Sequence, residues 1–297
     1  MSIQIARWQA LAAAVLFSTG GAAIKAEAFS GLQVSSLRSG IAALVLLAWL
    51  KGRGTWSWRI AGIGCIYAAT LTLFVTSTKL TTAANAIFLQ STAPLYLLFL
   101  GPRFLGERVR PRDLVYLGAV AAGLIFCMSE QTTATSTAPN PAAGNLLALA
   151  CGIAWAMTLV ALRLLERRGS GGASAGGSVG AETGFSALVA GNAIACLVAL
   201  PFALPFPAAA AAEWLTIVYL GVVQIGVAYA CLTAAMRHLP ALEASLLLLI
   251  EPVLNPVWTW LVRGERPGSW TLLGGAVIIA ATMAKVIVEA RAARHAA

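Results

Sequence analysis

Residues 246–267 read LLLLIEPVLNPVWTWLVRGERP. The stretch is apolar enough for the interior of a bilayer, yet Glu251, Pro252 and Pro256 stand near its middle. A charge at that depth costs at least ~2.5 kcal/mol, and a proline removes a backbone hydrogen bond. Shifted back by 158 residues, the segment finds a relative: KLTTAANAIFLQSTAPLYLLFLGPRFLGER (79–108) lies over RHLPALEASLLLLIEPVLNPVWTWLVRGER (237–266) without a gap. Lys79 meets Arg237, Pro94 meets Pro252, and the GER at 106–108 meets the GER at 264–266. More weakly, LAAAVLFS (11–18) resembles LALACGIAWA (147–156), setting Phe17 opposite Trp155. The expected organisation is two similar five-helix halves, 1–135 and 142–297.

The composition explains why such a segment is tolerated. Of the 297 residues, 59% are hydrophobic and 10% charged, against roughly 25% charged in soluble domains. Runs such as SGIAALVLLAWL (39–50) are apolar on every face, so the expected solvent is lipid. A window of about 20 residues, the length that crosses a hydrocarbon core, finds ten spans: 7–24, 32–51, 58–78, 81–101, 112–129, 143–164, 183–203, 213–236, 241–262 and 269–288. The expected fold class is therefore all-α integral membrane, with ten transmembrane helices. The two longest connections, 130–143 and 166–182, are Pro/Thr-rich and Gly/Ser-rich and read as flexible loops. Arg7, the apolar run after it and AEA at 26–28 imitate a signal peptide. The run is nearer a full span than a leader core, and the repeat needs it, so it is expected to stay.

The net charge of +9 does not form a nucleic-acid patch, because the basic residues follow loop parity. Fifteen of the twenty Lys and Arg fall at the termini and in every second connection. Lys25, Lys79, Arg263 and Arg266 lie on the opposite side, and Arg38 is inside the second span. The positive-inside rule then places both termini in the cytoplasm. Five is an odd number of crossings, so the second half enters the membrane from the opposite side. Such inverted-topology repeats characterise transporters whose substrate site lies near the midplane between the halves.

Ten helices, inverted halves, the P…GER ends of the fourth and ninth helices and Trp155-Ala156 in the sixth together resemble the drug/metabolite transporter superfamily, in its EamA-type branch. The resemblance covers the whole chain, and within that branch the sequence is most similar to the bacterial aromatic amino-acid exporters. It implies a multi-pass protein of the bacterial inner membrane that exports amino acids, aromatic ones included, with broad specificity and by alternating access. An apolar pocket discriminates weakly between similar side chains, which fits that breadth. Export of another small metabolite or of a drug cation, with proton coupling, is the alternative. The expected partners are a small-molecule substrate and the lipid bilayer, with no nucleic acid; a monomer and no cofactor are expected.

The candidate cavity residues are Phe17, Lys79, Gln90, Pro94, Tyr96, Trp155, Tyr229, Glu251, Asn255 and Trp258, with Pro94, Pro252 and Pro256 as hinges. Each proline frees the carbonyl four residues earlier, namely those of Gln90, Leu248 and Pro252, and is read either as a hinge or as a static kink. Glu251, Asn255 and Trp258 are spaced i, i+4, i+7 and share one helix face. Glu251 either takes part in proton coupling or polar contact with substrate, or stays neutral and hydrogen-bonds a neighbouring helix or a carbonyl freed by a proline. Arg38 reads as snorkelling or paired. Lys79 is the better of the two symmetry-related mouth cations for attracting a carboxylate, since Arg237 merely obeys the positive-inside rule. Phe17, Tyr96, Trp155, Tyr229 and Trp258 lie within spans and can stack a planar substrate. GAVAAG (118–123) and LLGGAVIIAA (272–281) let the fifth and tenth helices approach closely as scaffold.

The remaining residues exclude other classes. Five in-span cysteines without a CxxC pair read as small buried hydrophobes. His238 and His295 are too few for a metal site, and neither a phosphate-cradling glycine loop nor a GxSxG context occurs. A membrane enzyme would need catalytic polar groups gathered at one interface, and none are grouped that way.

Overall fold

The computed structural model describes residues 3–51, 54–106, 111–129, 133–169, 178–236, 238–239, 244 and 247–296. Among these residues every regular element is a helix. Backbone groups in lipid have no water to bond, so a chain this apolar must satisfy them within each segment. The helices are α1 (Ile3–Ser18), α2 (Gly20–Ala26), α3 (Gly31–Leu50), α4 (Trp58–Leu80), α5 (Ala83–Gln90), α6 (Ala93–Leu100) and α7 (Pro111–Ser129). They continue with α8 (Pro141–Gly169), α9 (Ser178–Ala203), α10 (Ala211–Tyr219), α11 (Ala228–Met236), α12 (Ile250–Arg263) and α13 (Ser269–Ala296). Two π-helical segments, Gly101–Leu105 and Leu220–Val227, extend α6 and join α10 to α11.

Among the described residues seven stretches are long and apolar enough to cross a membrane: Ile3–Ala26, Gly31–Leu50, Trp58–Leu80, Ala83–Leu105, Pro141–Leu164, Thr183–Ala203 and Ala211–Met236. Asp113–Ser129 and Ser269–Lys285 are shorter apolar helices at two further expected spans. The remaining one, 241–262, is a continuous described helix only from Ile250. Helix extends into both expected loop ranges. Helix α8 begins at Pro141 and runs to Gly169, and α9 starts at Ser178. The reason lies in LLER at 164–167, four strong helix formers that extend α8 beyond its apolar stretch.

The first span is broken where a single helix was expected. Thr19 separates α1 from α2, with its hydroxyl donating to the Leu16 carbonyl at 2.7 Å. The Ser18 hydroxyl donates to Val15 O at 2.7 Å. Gly20 and Gly21 follow, so weak helix formers and hydroxyls that bond back to the preceding turn coincide. The fourth span breaks at Ser91 and Thr92, whose hydroxyls donate to Ile87 O and Leu89 O at 2.7 and 2.6 Å. Pro94 is thus in the first turn of α6, where its missing N–H costs no intrahelical hydrogen bond.

A shift of 158 residues carries Ser91 onto Leu249, the turn residue that precedes α12. Pro252 is therefore a first-turn proline too, and Glu251 sits beside the positive end of the helix dipole rather than mid-helix. The expected cost of both residues falls accordingly. Pro256 is the interior proline, and α12 is continuous through it. The same shift pairs Gly106 with Gly264, which cap their helices in the left-handed region at φ 66° and 65°.

Helices α7 and α13 pair antiparallel. Lys285 Nζ meets Asp113 Oδ1 at 2.7 Å near one end, and the Cys127 thiol lies 3.8 Å from Thr271 O near the other. The shift of 158 carries Asp113 onto Thr271 and Cys127 onto Lys285, so the two contacts exchange. The close approach expected from the small residues is present: a Cβ on Gly274 would lie 2.5 Å from Gly123 O. Elsewhere α3 runs along α9, α4 along α8 and α9, and α1 against α11 and α12.

Candidate functional site

The break at Thr19 is held open by polar side chains from the second half. Trp258 Nε1 donates to Ser18 Oγ at 2.9 Å, Gln224 Nε2 to Phe17 O at 3.4 Å, and Thr19 Oγ1 bonds the Tyr219 hydroxyl at 2.8 Å. A Cβ on Gly21 would sit 2.2 Å from Asn255 Oδ1, and one on Gly20 2.8 Å from Gln224 Nε2. Only glycine admits these approaches. Along α12 the residues sort by face: Asn255 is buried against α2, while Val253, Val257 and Trp260 on the other face are exposed. The π-helical turn around Gln224 adds a residue to the ladder and aims that side chain inward. A cleft of about 460 Å³ opens here, lined among others by Thr19, Tyr219 and Trp258.

One layer further in, aromatic rings from four spans meet. Phe17 of α1 packs edge-on against Tyr229 of α11, centroids 4.9 Å apart, and Trp155 of α8 lies 6.2 Å from Tyr67 of α4. The Tyr67 and Tyr229 hydroxyls bond each other at 2.6 Å. Two charges face this pair. Arg38, 2% exposed on α3, acts on both tyrosines and on Cys151, and its Nε has no partner. Glu251 also acts on both tyrosines, and no hydrogen-bond partner for it occurs among the described residues. No ion pair between Arg38 and Glu251 occurs among the described residues.

At one end of the bundle the structure is sealed. Lys25, ending α2, faces Glu265 Oε2 at 3.0 Å with side chains 2% and 6% exposed. The same ammonium also donates to the Thr81 carbonyl at 2.5 Å and to the Thr137 carbonyl, which leaves its third hydrogen for the carboxylate. Glu265 Oε1 accepts the Ala83 N–H at 2.7 Å, a carboxylate at the first turn of α5. Beside it Lys79 Nζ donates to Glu27 O. Burial, above all, holds the Glu27 carboxyl above the usual carboxylate range, against the opposing pull of the Thr216 hydroxyl and Lys79.

The predicted residues therefore divide. Phe17, Trp155, Tyr229 and Glu251 converge on the central cluster; Asn255 and Trp258 brace the Thr19 break. Tyr96 and the Gln90 carbonyl lie on Gly152 of α8. Lys79 belongs to the sealed end with Lys25, Glu27 and Arg263. Arg38 is buried where its span packs on α4, α9 and the π segment, and no acid pairs with it among the described residues, contrary to the expected snorkelling or pairing. Arg237 and residues 107–108 lie outside the described residues. Sequence reasoning missed Tyr67, Lys25, Glu265 and Gln224. The repeat carried the signal for Tyr67, four residues out of register with Tyr229.

Comparison with known proteins gives a consistent picture. Residues 4–129 and 142–286 each match the EamA-like transporter family. An uncharacterized transporter of Archaeoglobus fulgidus is 24% identical over 271 residues, covering 91% of this chain and 92% of its own. A solved crystal structure aligns with a TM-score of 0.61 at 22% identity over 98% of this chain and 99% of the other, a likeness of fold.

Proposed function

Because the chain belongs to the EamA-like transporter family and is a multi-pass membrane protein, we propose that it exports amino acids, aromatic ones included, by alternating access. Ten spans arranged as two inverted five-helix repeats, with both termini cytoplasmic in a bacterial inner membrane, provide the frame. The exchange of the α7–α13 contacts under one shift supports it, as do the matched breaks and matched caps of the fourth and ninth spans. The observation that carries the reading is the aromatic cluster: Phe17 with Tyr229 and Trp155 with Tyr67, one ring of each pair from each half, joined at the tyrosine hydroxyls. Stacked rings beside buried polar groups suit a solute with a planar apolar body and a charged end.

Alternating access needs two closures used in turn, and the Lys25–Glu265 seal is one of them. In the proposed orientation it lies on the outer side, leaving the substrate path closed to the exterior. Helix breaks at Thr19, Ser91 and Leu249 offer backbone that can change angle without unwinding a whole span.

One observation favours a second reading, proton-coupled export of a cation or another metabolite. Glu251 has no described partner and faces the tyrosines, the position of a group that exchanges a proton for a positively charged solute. Purified protein in liposomes, given labelled phenylalanine, threonine or a cationic drug with and without a pH gradient, separates the readings. Phenylalanine flux is expected; flux of the drug alone would replace the amino-acid reading by the second. Glu251→Gln protein that keeps wild-type pH dependence would eliminate the coupling role.

A further inference from the structure

We propose that Arg38 is the carboxylate-reading residue of the central site, so that the substrates are small organic acids or zwitterions with an apolar body. The proposal rests on the transporter reading and sharpens it. Arg38 is 2% exposed, its Nε is unpartnered, and no acid balances it among the described residues. An arginine is always charged, and in the membrane interior it survives only beside a partner, a cavity or bound ligand. Tyr67 on α4, Tyr229 on α11 and Cys151 on α8 stand within Coulombic reach of it, and its own helix is packed on α4, α9 and the π segment that leads into α11.

The tyrosine pair completes the site. Two hydroxyls that bond each other use one hydrogen between them and leave the other free, because the accepting hydroxyl keeps its own proton. A carboxylate docked between Arg38 and the pair receives the planar guanidinium fork, a geometry matched to it, and that spare O–H. Phe17 and Trp155, packed on the same two tyrosines, then flank the apolar body. Arg38 disfavours a simple amine, which brings it a like charge, leaves the hydroxyl donor unanswered and has Glu251 as its counter-charge here.

The test is competition binding to the purified, full-length protein, read by intrinsic tryptophan fluorescence and repeated as transport in liposomes. The probes are phenylalanine, 3-phenylpropionate, which lacks the ammonium, and 2-phenylethylamine, which lacks the carboxylate. Wild-type protein is expected to bind both carboxylates about 10- to 100-fold more tightly than the amine, the range for one charge-assisted hydrogen bond. Arg38→Gln is expected to lose that preference without weakening the amine, and Arg38→Lys to recover part of it. The wild-type series needs no variant to fold. Equal binding of amine and phenylalanine by wild-type protein, or Arg38→Gln protein binding phenylalanine within about 2-fold of wild type, would overturn the assignment. Arg38-dependent binding of phenylpropionate without transport of any amino acid would uphold it and sink the amino-acid export reading instead.

Discussion

Replacing Glu265 with glutamine removes one charge from the buried pair that closes one end of the bundle. Truncating a buried ion pair on one side leaves the other charge uncompensated and costs about 3–5 kcal/mol. Lys25 keeps the Thr81 and Thr137 carbonyls, and the amide oxygen of the new side chain can still accept the Ala83 N–H, so the lower figure applies. About 3 kcal/mol is close to a 10²-fold shift of a two-state equilibrium. The change falls on the closed state, where the pair exists. A membrane-impermeant maleimide reacting with a cysteine placed at Ala84, now 1% exposed in the first turn of α5, reads the opening, with the protein lacking that cysteine as background. The rate is expected to rise about 10²-fold in Glu265→Gln. Lys25→Met combined with Glu265→Gln removes both charges and is expected to label more slowly than the single variant, since an absent pair costs less than half of one. Labelling of Glu265→Gln at the wild-type rate would refute the seal.

Three further outcomes follow from particular contacts. Gly21→Ala puts a methyl 2.2 Å from Asn255 Oδ1, and lowers the melting temperature in detergent; adding Asn255→Ala restores most of it, and a non-additive double-mutant cycle checks the contact. Pro252→Ala, in a first turn, changes stability by no more than about 1 kcal/mol, well short of the ~3 kcal/mol of an interior helical proline, as a denaturation midpoint would show. Glu27 has a native pKa held above the unfolded one, so its carboxyl adds stability below about pH 4 that is lost as pH rises through the native value. Glu27→Gln should therefore melt higher than wild type in alkaline buffer, with the gap closing on acidification; a gap that widens toward acid would reverse the sign of that argument.

What could be read in the sequence was what repeats or what departs from hydropathy. Pro94, Pro252, Gly106 and Gly264 recur at one spacing, and the structure gives each pair the same backbone role. Phe17, Trp155 and Tyr229 drew attention as aromatic residues away from span ends. Lys25 was legible only as a basic residue on the sparsely charged side, because its acid lies 240 residues onward and hydropathy carries no information about that distance. The break at Thr19 lacks a proline, and beside its local Ser-Thr-Gly-Gly run it depends on side chains from α12 and the π segment pressed against Gly20 and Gly21, which is tertiary. Arg38 was misread for a similar reason: snorkelling is the general habit of an arginine in a span, and only the helices surrounding this one forbid it.

Counterflow tests the central claim most directly. Liposomes holding the purified protein are loaded with unlabelled phenylalanine and diluted into a trace of the labelled compound. A carrier that exposes one site to each side in turn predicts a transient accumulation of label above its equilibrium level. It also predicts that the overshoot is lost when Tyr67 and Tyr229 are both replaced by alanine in protein that remains folded. Label that enters no faster than in empty liposomes, whatever amino acid is loaded, would contradict the account.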